Sequence, residues 1–240
     1  MHGLKAARVC VLMTLLVPMV SRADVRVPAG AQWELGDATL NLAGGNLILG
    51  GRFSLRGGRV DAASGVELAA GSRLDAGAGT LRVAGPWRNL GQFEASTSRV
   101  EFFDGGLASA DVAGSTRFHQ AAWNSSSGKT WRFAAGSTQT FANRLEIHGQ
   151  PALPIRMTSN APQQLAYFDL LPGAAQDIAH VAVTDIQATG QHLAPDQYNQ
   201  GGGNAPGWFG TLQPIPALSW PMLVLLAAVF FSFAPRTRRV

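Results

Sequence analysis

In the stretch ATLNLAGGNLILGGRFSLRGGRV, Ala38 to Val60, apolar residues alternate at spacing two. Leu40 pairs in this way with Leu42, Leu47 with Leu49 and Phe53 with Leu55, and Trp33 with Leu35 just before them. Such doublets put both side chains on one face of a short strand and send the residue between them to the other. Each burst ends at Gly, Asp or Ser, and the bursts recur. From Trp33 the leading apolar residues are Leu40, Leu47, Phe53, Val60, Val66, Leu74 and Leu81, at steps of 7, 7, 6, 7, 6, 8 and 7. A coiled coil also steps by seven, but its apolar residues fall at i and i+3 or i+4, not i and i+2. Gly44, Gly45, Gly50, Gly51, Gly57 and Gly58 crowd the same stretch, and each would cost a helix about 1 kcal/mol relative to alanine. The pattern excludes a helix here.

Short strands of even spacing, each followed by a two- or three-residue turn, predict an all-β fold: a parallel, right-handed β-solenoid around an apolar interior. Glycine supplies the corners. One rung cannot bury its own apolar face, so the repeat is the signature. Three steps of about seven make a rung of roughly 20 residues, and Ala31 to Gly85 would hold between two and three rungs. Further on the spacing loosens, yet alternation persists at Val100 and Phe102, Trp131 and Phe133, and Leu145 and Ile147. A Greek-key β-sandwich is the alternative, since short strands with turn signals fit it too.

The two ends follow other rules. Lys5 and Arg8 precede the apolar run Val9 to Val20, and Ser21 and Ala23 stand at small-residue positions before Asp24. A basic start, a short apolar stretch and a small-x-small exit describe a secretory signal peptide over residues 1–23, cleaved between Ala23 and Asp24. At 1.5 Å per residue that run covers roughly 18 Å, short of the ~30 Å hydrocarbon core. At the other end Leu218 to Ala234 carries no charge and is long enough for a short membrane helix. Arg236, Arg238 and Arg239 follow; the positive-inside rule leaves this basic stop-transfer tip on the cytoplasmic face. These readings divide the chain into a signal peptide (1–23), a solenoid body (24–212) and a C-terminal segment (213–240).

A short motif, an apolar helix and a basic tip form the layout of a C-terminal sorting signal. Ile215, Pro216, Ala217, Leu218, Ser219 and Trp220 resemble the motif of the IPTL-CTERM family of Gram-negative bacteria. The likeness covers about 26 residues. It departs from the family pattern at Ala217, which replaces Thr, at Pro221, which replaces Gly, and by one residue missing before Trp220. The resemblance implies that an exosortase-like membrane peptidase recognises the segment and releases the body toward the cell surface; an uncleaved anchor is the alternative. Residues 100–210, ending in AHVAVTDIQATG and NQGGGNAPGWFG, resemble the closing portions of bacterial surface-protein β-helices.

Charge narrows the partners. The chain carries 19 basic and 15 acidic residues, but three of the basic ones precede Asp24 and three lie in the tail. The body therefore holds 13 basic against all 15 acidic residues, a net near −2. A nucleic-acid footprint needs a clustered basic surface, and scattered arginines with one lysine, Lys129, do not make one. The single cysteine, Cys10, lies in the signal, so the body has neither a disulfide nor a thiol nucleophile.

The search for chemistry is mostly negative. A glycosidase needs two carboxylates about 5–9.5 Å apart. Asp37, Asp61, Asp75, Glu94, Asp104 and Asp111 are each alone in their strand or turn, and Glu101 with Asp104 reads as solvated edge charge. His119, His148, His180 and His192 show no metal-ligand spacing. Asp196, Asn199 and Asn204 could offer oxygens to calcium, against ordinary turn chemistry. Asn124 in NSS reads as a turn. Trp33, Trp87, Trp123, Trp131 and Trp208 would stack on sugars if exposed, but the core is the leading reading for them: Trp131 alternates with Phe133 on one face, and Trp87 and Trp123, beside Arg88 and Asn124, are the better candidates for exposed platforms. No pattern asks for a cofactor or a metal. The sequence thus predicts an exported cell-surface or matrix protein of structural or adhesive type, not an enzyme. It is tethered to the inner membrane at least transiently and is a candidate partner of surface polysaccharide. The alternatives are a carbohydrate-active β-helix enzyme and a membrane-tethered periplasmic binding module.

Overall fold

The computed structural model describes residues 24–210. The predicted signal peptide, the sorting motif from Ile215 to Trp220, the apolar tail segment and the terminal arginines lie outside the described residues. Within them the chain is all β, wound as a right-handed type of parallel β-solenoid of about eight turns. Every pairing between strands is parallel, which rules out the antiparallel sandwich. The expected solenoid stands.

Each early turn visits three sheets, here A, B and C. The first turn is β1 (Val25–Val27), β2 (Gln32–Glu34) and β3 (Thr39–Asn41); the second is β4 (Asn46–Leu49), β5 (Arg52–Ser54) and β6 (Arg59–Ala63). The third is β7 (Gly65–Leu68), β8 (Arg73–Asp75) and β9 (Thr80–Val83); the fourth is β10 (Trp87–Asn89), β11 (Gln92–Glu94) and β12 (Arg99–Phe102). The seven-residue step is the walk from one sheet to the next. Trp33 lies in register with Phe53 and Leu74, Leu40 with Val60 and Leu81, and Leu47 with Val66. Every third leading residue therefore stacks on the first. Leu47, Val60, Leu74 and Leu81 are fully buried.

From the fifth turn the cross-section changes. Here β13 (Ser109–Ala113) leads into β14 (Thr116–Asn124), and β15 (Thr130–Phe133) into β16 (Thr138–His148), strands of nine and eleven residues. Each does the work of two. The first half of β14 packs Phe118 beside Phe93 of β11, with ring centroids 5.8 Å apart, and its second half pairs with β12. The reason is local. The corner between β8 and β9 uses Gly77 at φ +54, whereas TRFHQAAWN contains no glycine and runs straight through, with a register shift between Phe118 and Gln120. The last turns are β17 (Ile155–Ser159), β18 (Ala166–Leu170), β19 (Ala175–Ala179), β20 (Val181–Thr184) and β21 (Ile186–Ala188).

The core changes with it. Leu and Val dominate the first three turns, and aromatics fill the rest. Trp87, Phe102, Phe118, Trp123, Trp131, Phe133, Phe141 and Phe168 are all fully buried. Phe102 stacks on Trp123 at 4.6 Å and 11°. Trp208 meets Phe168 at 5.6 Å and, with buried Leu193 and Phe209, closes the C-terminal end of the stack. Among the described residues nothing covers the N-terminal end: Val25, Leu35 and Leu40 are half-buried and Trp33 is 46 % exposed.

Two substitutions test this architecture. Trp123→Ala removes an indole packed against Phe102, Phe133, Phe141 and Phe168 and should lower stability by about 3–5 kcal/mol, read from the urea midpoint. Gly114 sits at φ +82 with the Asn89 carbonyl where a Cβ would go, so Gly114→Ala should cost more than the ~1 kcal/mol of an ordinary exposed glycine.

Candidate functional site

Parallel stacking places outward side chains in columns that run along the solenoid. On sheet C one column reads Arg59, Thr80, Arg99, Gln120, Arg144. The next holds Arg82, Glu101, Ala122, Glu146, Asp177. Arginines and carboxylates interlock between them. Arg82 bridges Asp61 at 2.9 Å and Glu101 at 3.2 Å; Arg99 binds Glu101 at 2.8 Å and reaches across a whole turn to Glu146. Ala122 stands in register between Glu101 and Glu146 and is fully buried. Arg144 joins Glu146 to Asp177, and His148 Nε2 lies 3.1 Å from Asp177. Carboxylates do gather on one face, but each is held by an arginine or a histidine. The hydrogen bonds from Arg99, then Arg144, keep the Glu146 carboxyl below its ordinary range against the opposing effect of burial.

At the corner after β12, Asp104 ties down the next turn. Its carboxylate accepts from the Ser126 and Ser127 backbone N–H groups at 2.9 and 3.2 Å. Burial opposes the charge, but hydrogen bonding to the Ser125 side chain, then to the Ser126 backbone N–H and the Ser127 and Ser126 side chains, holds it below the usual carboxylate range. Lys129, the body's one lysine, is buried beside it at 1 % exposure. Its Nζ donates to the carbonyls of Phe103 at 3.0 Å, Asp104 at 3.1 Å and Ala84, and sits 4.3 Å above the Trp131 ring. One ammonium thus bolts three successive turns together. Burial pushes Lys129 down to about 8, with the Asp104 charge pulling the other way. Only the ammonium, with three N–H bonds, can serve three carbonyls at once.

The tryptophans of the ladder follow the core reading. Trp87 and Trp123, the candidates for exposed platforms, are fully buried: both are at core positions of the ladder, and Trp87 Nε1 donates to Thr116 Oγ1 at 3.1 Å. Trp131 is buried as expected, and the exposed indole is Trp33. Alternation could have found Trp87, since Trp87 and Asn89 face inward while Arg88 between them faces out. Trp33 has its exposure from standing in the first turn, which no local pattern encodes. His119, His148 and His180 are half-buried and His192 is exposed. Asn199 spends its amide on turn chemistry, accepting from Val183 and Gly201 N–H at 3.0 and 2.9 Å and donating to the Val183 carbonyl. Among the described residues no cluster of three or more His, Cys, Asp or Glu is arranged to hold a metal.

Sheet B carries a different surface. Gln32, Arg52, Arg73 and Gln92 form one outward column and Glu34, Ser54, Asp75 and Glu94 the other. A groove of about 530 Å³ lies between Gln32, Arg52 and Arg73 of the first column and Glu34, Ser54 and Asp75 of the second. The chain matches no family model, no curated protein and no solved structure.

Two side chains give readable pH effects. Glu146 has a folded value below its unfolded one, so its stabilisation is present above about pH 4.5 and is lost as pH falls through the lowered value. Glu146→Gln should therefore cost about 1 kcal/mol at pH 7, and the deficit should vanish in acid when urea midpoints are compared. Lys129 runs the other way. Its folded value, about 8, lies below the unfolded 10.5, so the unfolded chain holds the proton more tightly and stability rises between those pH values. Lys129→Met should lose about 1–3 kcal/mol at pH 7 by stranding the carbonyls and should lack that alkaline rise.

Proposed function

We propose that this chain is an exported bacterial protein of structural or adhesive type, working at the cell surface or in the extracellular matrix. The signal-like residues up to Ala23, preceding Asp24, carry it out of the cytoplasm. The Ile215–Trp220 motif, the apolar segment and Arg236, Arg238 and Arg239 hold it in the inner membrane until an exosortase-like peptidase processes it. The observation that supports this reading best is the body itself. Eight turns at the ~4.8 Å strand spacing stack into a rod roughly 35 Å tall, locked by a continuous core and by Lys129. On sheet C its outward charges are consumed in mutual ion pairs. A face whose carboxylates are all engaged serves as an inert, solvated wall, and stacked turns offer a rigid platform.

Nucleic acid is a poor partner for this surface, since its arginines alternate with carboxylates or neutral residues instead of clustering. Surface polysaccharide is a better one. The direct test is the intact mass of the protein recovered from its host. The expected species begins at Asp24 and ends near Ile215. A product still carrying Arg239 would make it a tethered periplasmic module, and one retaining Met1 would overturn export.

A further inference from the structure

In a parallel stack a residue's nearest outward neighbours are those in register one turn away, and like charges placed there repel. Sheet C avoids this for its arginines: Thr80 and Gln120 separate Arg59, Arg99 and Arg144. Where Glu146 faces Asp177, Arg144 and His148 lie between them. Sheet B does the opposite. Arg52 is in register with Arg73, and Asp75 with Glu94. Among the described residues the one bridge between the two columns is Arg73 to Glu94 at 3.7 Å, at the far end of the groove; Glu34 turns instead to Arg56 at the corner. Arg52 is exposed and makes no side-chain hydrogen bond or ion pair among the described residues. A row of donors therefore runs beside a row of acceptors about 7 Å away along the strands, and neither row neutralises the other.

We propose that this groove, built from Gln32, Glu34, Arg52, Arg73 and Asp75, binds an extended, uncharged polysaccharide lying along the solenoid axis. A hydroxyl group donates and accepts, so a polyhydroxylated chain can use both rows in every unit. A chain bearing carboxylates would face Glu34 and Asp75 as well as the arginines. The turn spacing is close to the length of one pyranose unit, so successive sugars meet equivalent positions on successive turns. The Trp33 ring is not part of this surface: it stands in register with buried Phe53 and Leu74, on the inward face of the sheet. Sequence gave no hint of this site, because its residues are about 20 apart and only the stacking unites them.

The proposal deepens the surface-protein reading and rests on it for biological sense, but its test uses purified full-length protein in detergent. Failure of sorting in the host would sink that reading and leave this result intact. The probes are hydroxyethylcellulose, dextran and galactomannan, with polygalacturonate as the acidic comparison, in affinity electrophoresis. At least one neutral polymer should retard the protein, and the retardation should survive about 0.5 M salt, where exposed charge pairs are screened. Arg52→Ala with Arg73→Ala, and separately Glu34→Ala with Asp75→Ala, should each weaken it about tenfold or more. Arg132→Ala, on sheet A, should change nothing. A thermal melt identifies any variant that has lost its fold, and the remaining variant then decides. Retardation by none of the neutral polymers, retardation untouched by the sheet B variants, or binding only to polygalacturonate that salt abolishes would each overturn the proposal.

Discussion

Every turn of this chain has to come back to its starting point with its backbone in register, because its hydrogen-bond partners are the turns on either side. That requirement fixes the inward columns, the outward columns and the corners together. Three corners per turn demand backbone conformations that most residues avoid. Glycine meets part of the demand, but Ala43, Arg56, Ser96, Gln163, His180 and Asp185 also adopt positive φ. Such conformations cost roughly 1 kcal/mol or more each, and they persist because the ladders on both sides of the corner over-determine them.

The same requirement explains the change of core halfway along. When β14 and β16 run through a corner instead of turning, the enclosed space takes a different shape. Small aliphatic columns would leave voids, and voids in a core are costly. Trp87, Phe102, Phe118 and Trp123 fill it, meeting edge to face and in one stacked pair. The price is polar: the indole N–H groups of Trp123 and Trp131 find no acceptor among the described residues. Burying aromatic rings of this size outweighs one or two unmet donors.

How much of this was legible follows from which interactions are local. The doublets at Leu40 and Leu42, Leu47 and Leu49, and Phe53 and Leu55 gave the strands, and the step near seven gave three sheets per turn, because both are set by neighbours in sequence. The burial of Trp131 came from the same rule. Trp87 and Trp123 were candidates for exposure only through their polar neighbours, Arg88 and Asn124; in a strand an adjacent polar residue points to the opposite face and argues for the burial that the core reading favoured. Lys129 was visible only as a stray charge. Its partners Ala84, Phe103 and Asp104 are 25 to 45 residues upstream, and they are backbone carbonyls, which no side-chain pattern can mark.

Register also decides what a stacked fold can show to its surroundings. An outward residue meets its counterpart one turn away at roughly the strand spacing, so charges must alternate, be diluted or repel. Sheet C dilutes and alternates them, to the point that Arg99 spans a turn to reach Glu146. Its surface is satisfied from within. Sheet B leaves Arg52 beside Arg73 and Asp75 beside Glu94, an arrangement that adds nothing to the stability of the stack. A fold this repetitive has little freedom to hide unfavourable neighbours, so where it keeps them the surface is still open to an outside partner. The difference between the two faces, drawn on one backbone with one spacing, separates wall from binding surface more sharply than any single residue does.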